Sequence, residues 1–253
     1  MVRAILERDR RWAVYALADL APEYSAPARW HVADGRPALL LVYRGFEAPV
    51  LFAMGAAADL APLLQEIAGV PSFYLSVRQE AADLLRASGY AIRDEKKMWR
   101  MVADAARFVP PARSGVRLGP ADYERLADLY RDGEATGEAP PFFNAGMLRH
   151  GVYYGIREGV DLVAAAGTHV LAAQESMAAI GNVYTRRDCR GRGFGAQVSS
   201  AVTAELQRLG LRTVALNVVE GNATAMRMYE RLGFERYCEY QEAIAVYVGS
   251  QKH

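Results

Sequence analysis

From Gly115 onward the apolar positions switch between a period of two and a period near 3.6, the marks of strands and helices. "GVRLG" predicts a strand, and "ADYERLADLYRD" a helix from about Asp122. "PPFFNAGMLRHG" predicts a short helix. "GVYYGIREG", "DLVAAAGTHVLAA" and "MAAIGNVYT" predict three strands, the first two turning through Glu158 and Gly159. In "GAQVSSAVTAELQRLG" Val198, Val202, Leu206 and Leu209 recur on one helical face. In "RTVALNVV" Val214, Leu216 and Val218 alternate with Ala215, Asn217 and Val219, which predicts a strand. "NATAMRMYERLGF" predicts a helix capped by Asn222 and stopped at Gly233, and "YCEYQEAIAVYV" one or two last strands.

The first half repeats part of this order. "ALLLVYRG" and "APVLFAMG" predict strands, "AADLAPLLQEIAG" a helix, "SFYLSV" a strand, "QEAADLLRASGY" a helix and "KKMWRMVAD" a strand. "FYLSVRQEAADLLRASGYA" echoes "VALNVVEGNATAMRMYERLGFE" as strand, helix and Gly-aromatic, so the chain reads as a degenerate internal duplication. A seam falls at "FVPPARSG", where two prolines and a glycine break both periods. It divides the chain into residues 1–109 and 115–253. The expected class is α/β, with mixed sheets. The opening "MVRAILERDRRWAVYALADL" mixes apolar Ile5, Trp12, Leu17 and Leu20 with charges and predicts an amphipathic helix rather than a signal peptide.

Composition narrows the function. The 253 residues carry a net charge of +1, which argues against coating nucleic acid by bulk electrostatics. No segment reaches the ~20 apolar residues of a membrane span. Cys189 and Cys238 form neither a disulfide framework nor a metal pattern, which fits a reduced, cytoplasmic protein. His31, His150, His169 and His253 have no metal-ligand spacing, so no metal is expected.

The chemistry concentrates in "RRDCRGRGFGAQVSS", Arg186 to Ser200. "GRGFGA" formally satisfies the dinucleotide fingerprint, but "RRDCR" separates its first glycine from the strand, and the nearest acidic partner, Glu220, sits too far on. No Gly-Lys-Ser/Thr follows, which excludes a P-loop. An RNA-binding arginine-glycine tract would be longer and repetitive. Gly191, Gly193 and Gly195 let backbone N–H groups turn inward at a helix entrance, where the unpaired amides and dipole favour a diphosphate. Arg190 and Arg192 can add charge.

"RRDCRGRGFGA" resembles motif A, R-x-x-G-x-G/A, of the GNAT acyl-CoA N-acyltransferases, with Arg190, Gly193 and Gly195 in the matching places. "NATAMRMYERLGFE" resembles the family's second signature through Asn222, Ala225, Tyr229, Gly233 and Phe234. "AAIGNVYT" and the preceding "AAAGTHV" are similar to the branch with an FR47-type C-terminal half. The resemblance implies a tandem GNAT-like fold whose N-terminal half is catalytically silent. It implies acetyl-CoA as cosubstrate, entering between two splayed central strands.

In that reading the coenzyme meets Val183, Tyr184 and Thr185 on one strand, Arg190, Gly191, Arg192, Gly193, Phe194, Gly195 and Ala196 at the loop, and Asn217, Asn222 and Ala225 beyond. Tyr229 matches the family's general acid. His169 or Glu175 is the candidate base, while Asn182 and Tyr184 are polar groups that could orient a water. The acceptor is a primary amine of a small molecule or peptide, and a homodimer is allowed. A coenzyme-binding sensor without catalysis and an NAD-binding oxidoreductase remain the alternatives.

Overall fold

The computed structural model describes residues 1–110, 115–140 and 142–249. Along the chain run α1 (Val2–Leu6), α2 (Val14–Ala18), α3 (Pro22–Ser25), β1 (Ala28–Val32), β2 (Leu39–Tyr43), β3 (Val50–Met54), α4 (Ala57–Glu66), β4 (Ser72–Val77), α5 (Gln79–Ala87) and β5 (Tyr90–Ala103). There follow β6 (Val116–Leu118), α6 (Tyr123–Arg131), α7 (Ala145–His150), β7 (Tyr153–Glu158), β8 (Asp161–Ala172), β9 (Met177–Thr185), α8 (Phe194–Arg208), β10 (Thr213–Val219), α9 (Ala223–Arg231) and β11 (Phe234–Tyr247).

The chain forms two compact units. One holds Met1–Arg100, Val218–Asn222 and the residues from Tyr237 on; the other holds Met101–Asn217 and Ala223–Arg236. Set beside the expected 1–109 and 115–253, the second unit begins already at Met101, and two late segments group with the first. The reason is strand pairing: β11 runs antiparallel to β4, Gln241↔Val77 through Val246↔Ser72. Periodicity says that a segment is a strand, not which sheet it joins. Much of the expected seam, residues 111–114, lies outside the described residues, as does His253.

In the N-terminal unit β1, β2 and β3 are antiparallel neighbours, and β3 and β4 are parallel. One face of this sheet supplies Leu40, Val42, Leu51, Phe73, Leu75 and Ala243 to a core closed by Leu60, Leu63 and Leu64 of α4 and Leu85 of α5. The strict alternation along β4, with Phe73, Leu75 and Val77 buried, is what the period of two demands. The expected single N-terminal helix is instead broken into α1 and α2. Asp9 Oδ1 accepts the Trp12 backbone N–H at 3.1 Å, the local bond by which an Asp side chain competes with helix continuation. The strand β1 was not signalled by any alternation in "ARWHV"; its pairing to β2 makes it a strand.

The C-terminal unit orders its strands β6-β7-β8-β9-β10, antiparallel except for the last pair. Leu126, Leu129 and Tyr130 of α6 and Leu148 of α7 pack with Tyr153, Ala165 and Tyr184. The apolar stripe of α8, with Val198, Val202 and Leu206 buried, packs against β7, β8 and β9. Gly233 ends α9 at φ +93, the left-handed position predicted for it. A single strand, β11, takes the place of the one or two expected after it.

Candidate functional site

The parallel pairing of β9 and β10 covers only Met177↔Thr213 through Ile180↔Leu216. Strand β9 continues to Thr185, held on its other edge by β8 through Ala165↔Tyr184 and Ala164↔Thr185. Gly181–Thr185 therefore runs beyond the parallel register, with its β10-side edge past the last pair. The turning point is Asn182, at φ +52. Here Gly167↔Gly181 is followed by Ala165↔Tyr184, so Asn182 and Val183 oppose the single residue Ala166. Such a bulge twists and redirects one strand, and it separates neighbours at a functional edge. Val183 and Thr185 are half-buried there, and Asn217 is the first residue of β10 past the last pair.

The glycine loop lies at the end of this edge. Gly191 and Gly193 take φ +78 and +79, and Gly193 forms the N-terminal boundary of α8. A Cβ added at either would meet nothing within 4 Å, so the requirement is conformational and the space beside the amides is open. Gly195 faces Thr185 Oγ1 and Met228 Sδ, each at 3.5 Å from where its Cβ would be. That contact seats the start of α8 between β9 and α9.

The loop arginines are already paired. Arg190 donates from both terminal nitrogens to Glu138, at 3.0 and 3.1 Å, and from Nε to the Thr185 carbonyl at 3.2 Å, with its guanidinium over the Tyr184 ring. Arg192 bonds Glu158 and lies over Phe194. These partners hold the Glu138 and Glu158 carboxyls below the usual range. Asp132 accepts from the Tyr184 hydroxyl at 2.8 Å and from the Arg187 backbone N–H at 3.1 Å, which lowers its pKa in the same way. Tyr184 is buried, its side chain braces the strand, and its backbone lies on the β8 side through the pairing with Ala165.

A polar cluster sits at the bulge. Asn182 is 4 % exposed. Its Nδ2 donates to Tyr153 Oη at 2.8 Å and approaches Met147 Sδ at 3.3 Å, and its Oδ1 lies 3.1 Å from His169 Nε2. Its own carbonyl accepts from the Tyr130 hydroxyl at 2.8 Å. The His169 ring lies where Gly181 would carry a Cβ, with ring atoms at 2.2–2.3 Å from that point, and the Tyr153 ring likewise covers Gly167. Since Gly167 and Gly181 are cross-strand partners, this glycine pair forms the floor on which both rings rest. Sequence reasoning missed Tyr130, Met147, Tyr153 and Gly181. A Gly-Asn step inside an apolar strand was the available signal, because it marks a bulge.

The two candidate bases lie apart. His169 is at the glycine floor, where the parallel pairing ends. Glu175 is in the connection between β8 and β9, beside Met177, where β9 and β10 are still paired. From Met177 to Gly181 is about 13 Å of strand at 3.3 Å per residue. Tyr229 is buried on α9 with its ring edge-on to Phe234, and burial pushes its pKa up to about 12. Asn222 is exposed just before α9, and Ala225 lies half-buried in its first turn. Among the described residues no three His, Cys, Asp or Glu side chains gather as metal ligands, and no helix is long and apolar enough to cross a membrane.

The corresponding place in the N-terminal unit is filled. The parallel pair β3–β4 ends at Phe52↔Ser76. The next carbonyl, Ala53 O, accepts from Trp12 Nε1 at 3.3 Å. Trp12 is fully buried, packed on Phe52 and Tyr240, with the guanidinium groups of Arg78 and Arg100 each 5.0 Å from its ring centre. Only Gly55 and Ala56 join β3 to α4, whereas Arg186 to Gly193 join β9 to α8.

Residues 153–243 match the model of the FR47-like protein family. A mycothiol acetyltransferase of Geodermatophilus obscurus is 42% identical over 66 residues, a stretch that makes up 25% of this chain and 21% of that protein. The chain thus matches about a fifth of that relative's length. A crystal structure of a GNAT-family protein from Novosphingobium aromaticivorans superposes with a TM-score of 0.63 at 25% identity, covering 91% of this chain and 96% of the other. A tandem GNAT protein from the clavulanic acid biosynthesis pathway superposes with a TM-score of 0.56 at 15% identity, covering 85% and 80%, a likeness of fold.

Proposed function

From a chain whose residues 153–243 form an FR47-like, GNAT-type domain within a tandem GNAT-like fold, we propose an acetyl-CoA-dependent N-acetyltransferase. It moves the acetyl group onto a primary amine of a small molecule or peptide by direct attack. One observation carries this reading: an open cradle of left-handed glycines at the entrance of α8 adjoins the unpaired edge of β9. The amides of residues 191–196 take the diphosphate, assisted by the positive end of the helix. Arg190, committed to Glu138 and the Thr185 carbonyl, braces the cradle more than it grips the ligand. Backbone groups of Val183 and the Thr185 N–H pair with the extended pantetheine arm, and an amide at the bulge donates to the thioester oxygen as negative charge develops.

Acetyl transfer also needs a proton removed from the amine and one supplied to the departing thiolate. His169 takes the first role, because it stands at the end of the parallel pairing and Glu175 does not. Tyr229 takes the second: with its pKa pushed up to about 12 it keeps its proton throughout the neutral range. The N-terminal unit is silent, its equivalent cleft being occupied by Trp12.

Saturating coenzyme A, at a hundred times its dissociation constant, should raise stability by about 2.7 kcal/mol, whereas NAD should not raise it. Release of free thiol from acetyl-CoA should then depend on an added primary amine. Stabilisation by NAD alone would sink the reading. Tyr229→Phe should lower kcat about tenfold while leaving coenzyme affinity within twofold. The effect is smaller than the 10²–10⁴ of a full general acid, because a thiol with a pKa near 8.5 is already a fair leaving group.

Gly193→Asp should weaken coenzyme A binding by roughly 10- to 30-fold by calorimetry. A side chain at φ +79 costs roughly 1–2 kcal/mol, and the new carboxylate competes for the same amides. Gly193→Asn, which tolerates the left-handed region and lacks the charge, should lose less. Equal losses would remove the charge argument.

A further inference from the structure

We propose that Asn182 is a positioning residue, whose buried side-chain amide holds the His169 imidazole as the Nε2–H tautomer and so makes Nδ1 the proton-accepting nitrogen. The catalytic meaning rests on the reading of His169 as the base for acetyl transfer; the tautomer does not.

The geometry fixes which way the amide faces. On one side it meets Met147 Sδ at 3.3 Å and Tyr153 Oη at 2.8 Å. A thioether sulfur accepts hydrogen bonds and has none to donate. An amide oxygen turned that way would oppose the sulfur lone pairs. The NH₂ group turned that way finds two acceptors for its two hydrogens. Tyr153 directs its own O–H to the Thr168 carbonyl, at 3.2 Å, which leaves a lone pair for Nδ2. Met147 is held in place in turn, since the Asn144 side chain caps α7 by accepting from the Gly146 and Met147 N–H groups. Oδ1 therefore faces His169 Nε2, and an oxygen with no proton to give requires that Nε2 supply one. A neutral imidazole carries a single proton, so the lone pair lies on Nδ1.

The hydroxyls around Asn182 keep their protons. Tyr130 from α6 and Tyr153 from β7 are both pushed up by burial and stay protonated. The backbone selects the residue type. Position 182 needs a left-handed φ, which Asn tolerates better than most side chains, together with an acceptor on one side and donors on the other. Gly181 completes the seat, because any Cβ there would overlap the ring it supports.

Three measurements test the seating and the positioning role. Long-range ¹H–¹⁵N correlation spectra of the full chain, at a pH where the imidazole is neutral, should give an Nε2–H tautomer for His169, assigned by its loss in His169→Gln. An Nδ1–H pattern would overturn the proposal whatever the chain's activity. In Asn182→Asp the acceptor oxygen and the tolerated φ remain, but a carboxylate now faces the ring. The acidic limb of the kcat/KM profile should move up by about 1–3 pH units. Asn182→Gly, which keeps the left-handed backbone and removes the acceptor, should lower kcat about 10- to 100-fold with KM for acetyl-CoA within twofold, since a general base contributes ~10²–10⁴ and would here be misaligned rather than deleted. An unmoved limb in Asn182→Asp overturns the positioning role. A wild-type chain that has the Nε2–H tautomer but transfers no acetyl group counts against the acetyl-transfer reading and not against the seating.

Discussion

Replacing His169 with Gln is expected to lower kcat/KM for the amine by about 10²–10⁴-fold, the range a positioned acid–base group contributes. The ring stands where β9 leaves its parallel partner, and it rests on Gly181 without displacing anything. Glutamine can still reach Asn182 but cannot take a proton near neutrality. The acceptor amine must then lose its proton to solvent, so the remaining rate should climb steadily with pH in place of a plateau. KM for acetyl-CoA should stay within twofold, because the proposed mode holds the coenzyme at the cradle and along the edge of β9, away from the imidazole. His169 is only part-buried, so the melting temperature should move little. A His169→Gln chain with full turnover would move the base elsewhere, and Glu175→Gln would be the next variant to measure.

Trp12→Ala is expected to cost about 3–5 kcal/mol of stability, the range for deleting a fully buried aromatic side chain. Three losses combine. The indole volume disappears from between Phe52 and Tyr240. The Ala53 carbonyl loses its indole donor. The buried Arg100, which donates to the Trp12 carbonyl at 2.6 Å, loses one of the three rings around its guanidinium. At about 2–4 °C per kcal/mol for a chain of this size, melting followed by circular dichroism should fall by about 6–20 °C. Trp12→Phe, which keeps a ring but loses the N–H and part of the indole volume, should cost less, about 1–3 kcal/mol. A shift below 2 °C for Trp12→Ala would mean that Trp12 is not what closes the N-terminal cleft. Coenzyme titration of the wild type should give one site per chain.

Part of the local backbone geometry was legible before any coordinates. The glycines at 191, 193 and 195 followed by a helical stripe announce a cradle, because left-handed backbone and helix entrances are local properties. The alternation in "SFYLSV" and "RTVALNVV" announces strands for the same reason. The arginines were less legible. Their charge suggested ligand contacts, whereas Glu138 and Glu158, far away in sequence, already engage them. Tyr184 looked like a polar handle, yet its hydroxyl is spent on Asp132.

The amino-acid sequence by itself determined the elements, the internal echo between the halves and the left-handed glycines at the entrance of α8. These follow from periods and φ preferences that act within a few residues. The tertiary structure alone decided that β11 pairs with β4, that Trp12 bonds the Ala53 carbonyl past the end of the β3–β4 pairing, and that His169 and not Glu175 meets the glycine floor. Those outcomes depend on which strands pair and in what register, and register joins residues whose separation along the chain carries no local signal.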